Sequence, residues 1–332
     1  MTFEQIKSDL KNRIYYPVYF LAGEEPYYID TISDIIEKSV LDEAERDFNQ
    51  TIVYGRDTNP LDIISLAKRY PMMASHQVVI VKEAQNILKI EELEPYLESP
   101  LDSTVLVICY KYKKIDKRKS FFKNIGKKGV FYESKKIYDN KIPSWIVNYL
   151  QPMGYTIMPK ASAMLAEFLG SDLSKIVNEL DKLVLNIPGK TEINDVLIEQ
   201  NIGISKDFNI FELQNAIGSR NISKANQIIN YFAANTKENP LVKTVPILFG
   251  FFSKLLIYHQ LKDKSKNNVA SELGVNPFFV KDFQIAARNY SYPKLKTIIS
   301  LLREYDLKAK GVNNISTPDG ELQKELMFKI LH

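Results

Sequence analysis

"PVYFLAGEEPYYID", residues 17–30, runs from an apolar stretch through a glycine turn into a helical pattern. Residues 17–23 read as a strand buried on both faces that ends in a turn. From Tyr28 onward, Ile29, Ile32, Ile35, Ile36 and Val40 recur at helical spacing. The alternation continues outward from there. "QTIVYG" (50–55) is a second strand, and a helix follows at Pro60 with Asn59 as its cap. Val78–Val81 is a third strand, "STVLVICY" (103–110) a fourth and "GVFYES" (129–134) a fifth, with a lysine-rich helix between the last two. Strand runs separated by helices imply a parallel sheet with helices on its faces. Five strands suit an α/β domain of the nucleotide-binding type.

After Lys141 strand patterns nearly vanish. "PSWIVNYLQPMGY" reads as a helix beginning after Pro143 and stopped near Pro152 and Gly154. "PKASAMLAEFLGSDLSKIVNELDKLVLNIPG" gives two more, the first ended by Gly170 and the second capped by Ser171 or Asp172. "TEINDVLIEQNIG" adds a short helix with Thr191 as its cap. From about Ser205 a longer helical array runs to the end of the chain, including "LVKTVPILFGFFSKLLIYHQ", apolar nearly all round and so assigned to a core or a subunit interface. The predicted class is α/β plus all-α: residues 1–140, a small helical domain over 141–204, and an all-helical domain over 205–332.

With 332 residues, 45% of them hydrophobic and 25% charged, the chain reads as an ordinary soluble globular protein of two or three domains. Cys109 stands alone, which rules out an intrachain disulfide and fits a reducing cytoplasm. With only His76, His259 and His332 beside it, a Cys/His metal cluster is not expected. The N-terminus carries acids and lacks an apolar core, unlike a signal peptide, and no apolar run is expected to cross a bilayer.

The turn after the first strand is where a phosphate-binding loop would sit, as G-x-x-x-x-G-K-[ST]. Aligned on Gly23, the chain has Tyr28 for the second glycine, Ile29 for the lysine and Asp30 for the hydroxyl, and Glu24 and Glu25 bring negative charge to a polyanion's place. After the third strand, where a magnesium-binding acid belongs, Lys82 comes first and Glu83 second. No ATP turnover, nucleotide or other cofactor is therefore expected. The G-x-S-x-G elbow is missing too, Cys109 reads as a packed core residue, and His76 beside Ser75 reads as a local hydrogen bond.

Two further features call for a partner. Between Lys111 and Lys136, eleven Lys/Arg face Asp116 and Glu133, a local charge of +9 in a chain of net +4, so the remainder carries −5. One basic segment on a mildly acidic protein suits nucleic acid or an acidic partner, or simply a solvated helix face. The second feature is "RYPMMASHQ" (69–77), which places Met72 and Met73 in the connection before the third strand, where polar residues are usual. They either tuck under the loop into the core or belong in another protein.

In order and spacing, "YFLAGEEPYYID", "YPMMASHQVVIVKEA", "TVLVICYKYKKIDKRKSFFK", "LGSDLSKIVNELDKLVL", "NIFELQNAIGSRNISKA" and "LREYDLKAKG" resemble the delta-subunit family of the bacterial DNA polymerase III clamp loader, over essentially the whole length. The resemblance implies a degenerate AAA+ (P-loop NTPase-like) sheet domain, a helical lid and a C-terminal helical collar, without intrinsic catalysis. It implies binding to the ring-shaped sliding clamp (the beta subunit) and opening of one ring interface by a hydrophobic wedge. That wedge falls on Met72 and Met73, with Tyr70 and Pro71 just ahead; the family's pair is Leu-Phe-like, so Met-Met keeps apolar volume and drops the aromatic ring. The implied partners are the ATP-hydrolysing gamma/tau and delta-prime subunits and primed DNA, in the cytoplasm and away from membranes. Lys113, Lys114, Lys117, Arg118 and Lys119 are candidate contacts to DNA or to the clamp's acidic face. Two rival readings are an active AAA+ ATPase with an atypical loop and a nucleic-acid-binding adaptor using segment 111–136.

Overall fold

A computed structural model of the chain describes residues 1–113, 120–205 and 207–332. It divides into two compact units, Met1–Ile137 and Tyr138–His332. The expected boundary at 140/141 lies close to that division, and the one at 204/205 lies inside the second unit.

The first unit runs α1 (Phe3–Lys11), β1 (Val18–Gly23), α2 (Pro26–Ser39), α3 (Glu43–Asn49), β2 (Gln50–Tyr54), α4 (Pro60–Ala67), β3 (Gln77–Lys82), α5 (Glu94–Glu98), β4 (Thr104–Lys111), α6 (Ser120–Lys128) and β5 (Val130–Ser134). The strands form one sheet in the order β2-β3-β4-β1-β5, every neighbouring pair parallel. The result is a five-stranded parallel sheet with helices on both faces. Successive residues of a strand point to opposite faces, so each central strand supplies two cores. Phe20, Val79, Val81, Leu106 and Ile108 pack with Ile63 and Ala67 of α4, Tyr96 of α5 and Phe121 and Ile125 of α6. Tyr19, Leu21, Val78, Ile80, Val107 and Cys109 pack with Ile6 and Leu10 of α1 and Ile29, Ile32 and Ile36 of α2. Cys109 is thus a core residue, and burial pushes its thiol up to about 11.

Asn59 caps α4 as expected, its side chain accepting from the Asp62 N–H at 3.1 Å. The chain before β1 also folds. Thr2 and Gln5 form a reciprocal capping box that starts α1.

The second unit contains α7 (Ile142–Leu150), β6 (Thr156–Ile157), α8 (Pro159–Leu169), α9 (Leu173–Asn186), β7 (Glu192–Ile193) and α10 (Asp195–Ile202). It continues as α11 (Ile210–Gly218), α12 (Ile222–Ala234), α13 (Leu241–Gln260), α14 (Lys266–Leu273), α15 (Val280–Asn289), α16 (Tyr292–Ala309) and α17 (Asp319–Leu331). Asp172 caps α9, accepting from the Lys175 N–H at 3.1 Å. Three local expectations need correction. Helix α7 starts at Ile142, one residue before Pro143, which sits in the first turn where a missing N–H costs nothing. Asn194, not Thr191, caps α10, accepting from the Leu197 N–H at 3.0 Å, because Glu192 and Ile193 pair with Thr156 and Ile157 as a short parallel bridge. Helix α13 is, by length and composition, long and apolar enough to cross a membrane, contrary to the expectation that no run is. Its Leu241, Val245, Leu248, Phe252 and Leu255 are instead buried in the helical core with residues of α12, α16 and α17.

Candidate functional site

A parallel sheet has two unlike ends. Ligands of such sheets bind beyond the carboxyl ends of the strands, which here are Gly23, Tyr54, Lys82, Lys111 and Ser134. That end is closed by the chain's own groups at the position of a phosphate loop. Gly23 has φ +139°, and a Cβ there would lie 1.9 Å from the Ser134 carbonyl oxygen. The Glu24 N–H donates to that same oxygen at 3.0 Å, and the Ser134 hydroxyl donates to the Glu25 carbonyl at 2.6 Å. Buried Glu25 then caps α2, its carboxylate accepting from the Tyr27 N–H at 3.2 Å. A helix N-terminus attracts anions, and here the anion is a side chain.

The residues standing for lysine and hydroxyl are committed as well. Ile29 is buried in the core and Asp30 is ion-paired with Lys111. Lys82 is ion-paired with Glu37 at 3.2 Å. Burial alone would lower the Lys82 pKa, but the Glu37 carboxylate outweighs it and the net shift is upward. A lysine held charged in this way repels a divalent cation.

The methionine pair lies at the opposite end of the sheet, in the connection between α4 and the amino end of β3. Met72 is 63% exposed, Met73 103% and Tyr70 77%, whereas Pro71 is half-buried. The methionines therefore do not tuck under the loop; Ala74 does, packing against the core face shared by α1 and α2. Met73 takes a left-handed backbone, φ 55°, a conformation that costs a non-glycine residue of order 1 kcal/mol.

Buried amides hold both ends of this loop. Asn49, the last residue of α3, accepts from the Met72 N–H at 2.6 Å and donates to the Met72 carbonyl at 2.9 Å. It also donates to the Glu45 carbonyl one turn back in its own helix, at 3.0 Å. Gln77, the first residue of β3, lies under the C-terminal end of α4, whose last carbonyls have no partner within the helix. Its amide nitrogen donates to the Arg69 carbonyl and, at 2.8 Å, to the Thr104 hydroxyl, which in turn donates to the Ala67 carbonyl at 2.9 Å. The Tyr96 hydroxyl reaches the same carbonyl at 3.3 Å.

Asn49, Gln77 and Thr104 were not among the candidates read from the sequence. Gln77 and Thr104 each open an apolar strand and Asn49 closes a short polar helix, and only the folded sheet shows what they touch. His76 behaves as expected, hydrogen-bonded to Ser75 at 2.9 Å with its ring edge-on to Tyr15.

Of the basic candidates only Lys113 lies among the described residues, and it is not near the methionines. Lys113 is exposed and donates to the Gln85 carbonyl at 2.8 Å, just past the carboxyl end of β4. Thr104, beside Gln77, begins that strand, and at ~3.3 Å per residue its length separates the two regions by roughly 25 Å. Lys114, Lys117, Arg118 and Lys119 lie outside the described residues.

Comparison with known proteins agrees along the chain. The family described as "DNA polymerase III, delta subunit" matches residues 19–135, and "DNA polymerase III delta subunit, C-terminal domain" matches residues 207–330. The DNA polymerase III subunit delta of Bacillus subtilis (strain 168) is 30% identical over 343 residues, covering 99% of this chain and 95% of that protein. The solved structure of the Bacillus subtilis DNA clamp loader delta protein shares 26% identity, covers 99% of both chains and superposes with a TM-score of 0.58.

Proposed function

The chain belongs to the DNA polymerase III delta-subunit family, and on that premise we propose that it binds a ring-shaped sliding clamp through Met72 and Met73 and holds one ring interface open for loading onto primed DNA. One observation carries this reading: two neighbouring apolar side chains stand in solvent on a loop anchored from beneath at both ends. An exposed apolar pair on a fixed backbone is poised to be the central hot spot of an interface. Burying a methionine contributes about 1.5–3 kcal/mol, and its unbranched, polarisable thioether adapts to an imperfectly shaped pocket.

The chain is an accessory subunit and acts without chemistry of its own. The seated Gly23 turn, the Glu25 cap and the Lys82–Glu37 pair all oppose nucleotide binding at the sheet's carboxyl end. ATP hydrolysis therefore falls to gamma/tau-type neighbours, assembled with delta-prime through the helical 205–332 collar, with residues 141–204 as the lid. The complex works in the cytoplasm. Opening needs no energy from this chain beyond a preference for the open ring over the closed one, and that difference alone sets how far it shifts the ring's equilibrium.

The direct test is a surface-binding titration of the purified chain against the sliding clamp of the same organism, without ATP. Saturable binding is expected. Its absence, with a folded chain by circular dichroism, contradicts the reading.

A further inference from the structure

Helix α3 ends and β2 begins with no residue between them, Asn49 being the last helical residue and Gln50 the first of the strand. The side chain of Asn49 is buried at this junction, tied to Glu45 of its own helix. Its remaining hydrogen-bonding capacity goes to one residue 23 positions away: the amide oxygen takes the Met72 N–H and the amide nitrogen gives to the Met72 carbonyl. This copies the two-bond exchange between facing residues of an antiparallel pair, with a side chain in the place of a strand. Only a planar amide offers donor and acceptor side by side in this way.

The consequence falls on the next residue. With both backbone groups of Met72 fixed, the chain turns through Met73 in its left-handed conformation and leaves that side chain wholly in solvent. A loop without such a grip would relax toward extended backbone at Met73 and let the methionines fold onto the apolar face that Ala74 already touches.

We infer that Asn49 is a positioning residue for the clamp contact, holding Met72 and Met73 in their binding geometry before the partner arrives. The inference rests on the clamp-binding reading above. Preorganisation of this kind acts by removing the ordering cost of association, so its loss appears as weaker binding by a chain that is still folded.

The test measures clamp affinity for wild type, Asn49→Ala, Asn49→Asp, the Met72→Ala/Met73→Ala pair and the pair combined with Asn49→Ala, with hydrogen exchange of the amides of Tyr70 and of residues 72–74. Asn49→Asp keeps the shape and the acceptor but sets an oxygen against the Met72 carbonyl, so it guards against a variant that misfolds for want of volume. Asn49→Ala and Asn49→Asp are each expected to weaken binding about tenfold, ~1.4 kcal/mol, and to speed exchange in the loop alone. Added to the methionine pair, Asn49→Ala is expected to cost nothing further, because no wedge is left to position. Wild-type affinity in both Asn49 variants would overturn the inference and leave the clamp reading standing. So would an undiminished loss on the double-alanine background, since Asn49 would then act independently of the methionines. A wild-type chain that does not bind the clamp overturns the clamp reading itself, and this inference with it.

Discussion

Replacing Met72 and Met73 together by alanine is expected to weaken clamp binding by about 10²- to 10⁴-fold, the equivalent of two buried methionines at ~1.5–3 kcal/mol each. The same change should leave the chain's own stability almost untouched. In the free protein these side chains are 63% and 103% exposed, so their removal opens no cavity, and surface changes of this kind usually stay within ±0.5 kcal/mol. That contrast is the diagnostic. A buried structural pair would lose stability by about 2–5 kcal/mol per methionine before it lost affinity. A double mutant that melts like wild type and binds as tightly would remove the methionines from the interface.

Gly23→Ala is expected to have the opposite profile, a large loss of stability. The new Cβ would fall 1.9 Å from the Ser134 carbonyl oxygen and 2.8 Å from its nitrogen. Both are backbone atoms of a strand in register with β1, so neither can swing aside as a side chain would. To this overlap is added a backbone angle, φ +139°, that glycine alone adopts readily. Overpacking and strain of about 1–3 kcal/mol each sum to a sizeable part of the ~5–15 kcal/mol that holds an ordinary domain together. Urea unfolding followed by circular dichroism would show a midpoint moved far toward lower denaturant. An unchanged midpoint would mean that the turn after β1 is not seated against β5, and would reopen that end of the sheet to a ligand.

How much of this could be read from residues alone depended on how local each signal was. The strands of the sheet were legible because "VVIV" and "VLVIC" are short continuous apolar runs, and a strand buried on both faces needs nothing more. The cap at Asn59 was legible, and that of α9 was narrowed to Ser171 or Asp172, because an N-cap acts within one turn of its own position. Helix α3, "EAERDFN", carries no apolar periodicity and went unread, although Glu45 reaching back to the Asp42 N–H at 3.0 Å is a local start signal. The Thr191 assignment failed because a two-residue bridge to Thr156 and Ile157, more than thirty residues away, displaced the helix start to Asn194.

The closed phosphate position was readable in outline from Tyr28, Ile29 and Lys82. Its actual closure by Ser134 was not, since nothing near Gly23 in sequence announces it. The site itself sits at the same limit. Two methionines in a loop have the same composition whether they point in or out. What turns them out is Asn49 from one side and Gln77 from beneath, and both contacts exist only once α3, α4 and β3 have packed.

The most direct measurement of ring opening compares the chain's affinity for its free sliding clamp with that for the same ring covalently cross-linked shut at its subunit interfaces. If the methionine wedge favours the open ring, the free clamp binds more tightly, by the factor through which the wedge shifts the ring's equilibrium. Equal affinity for the two rings would contradict opening, leaving Met72 and Met73 as a docking contact and nothing more.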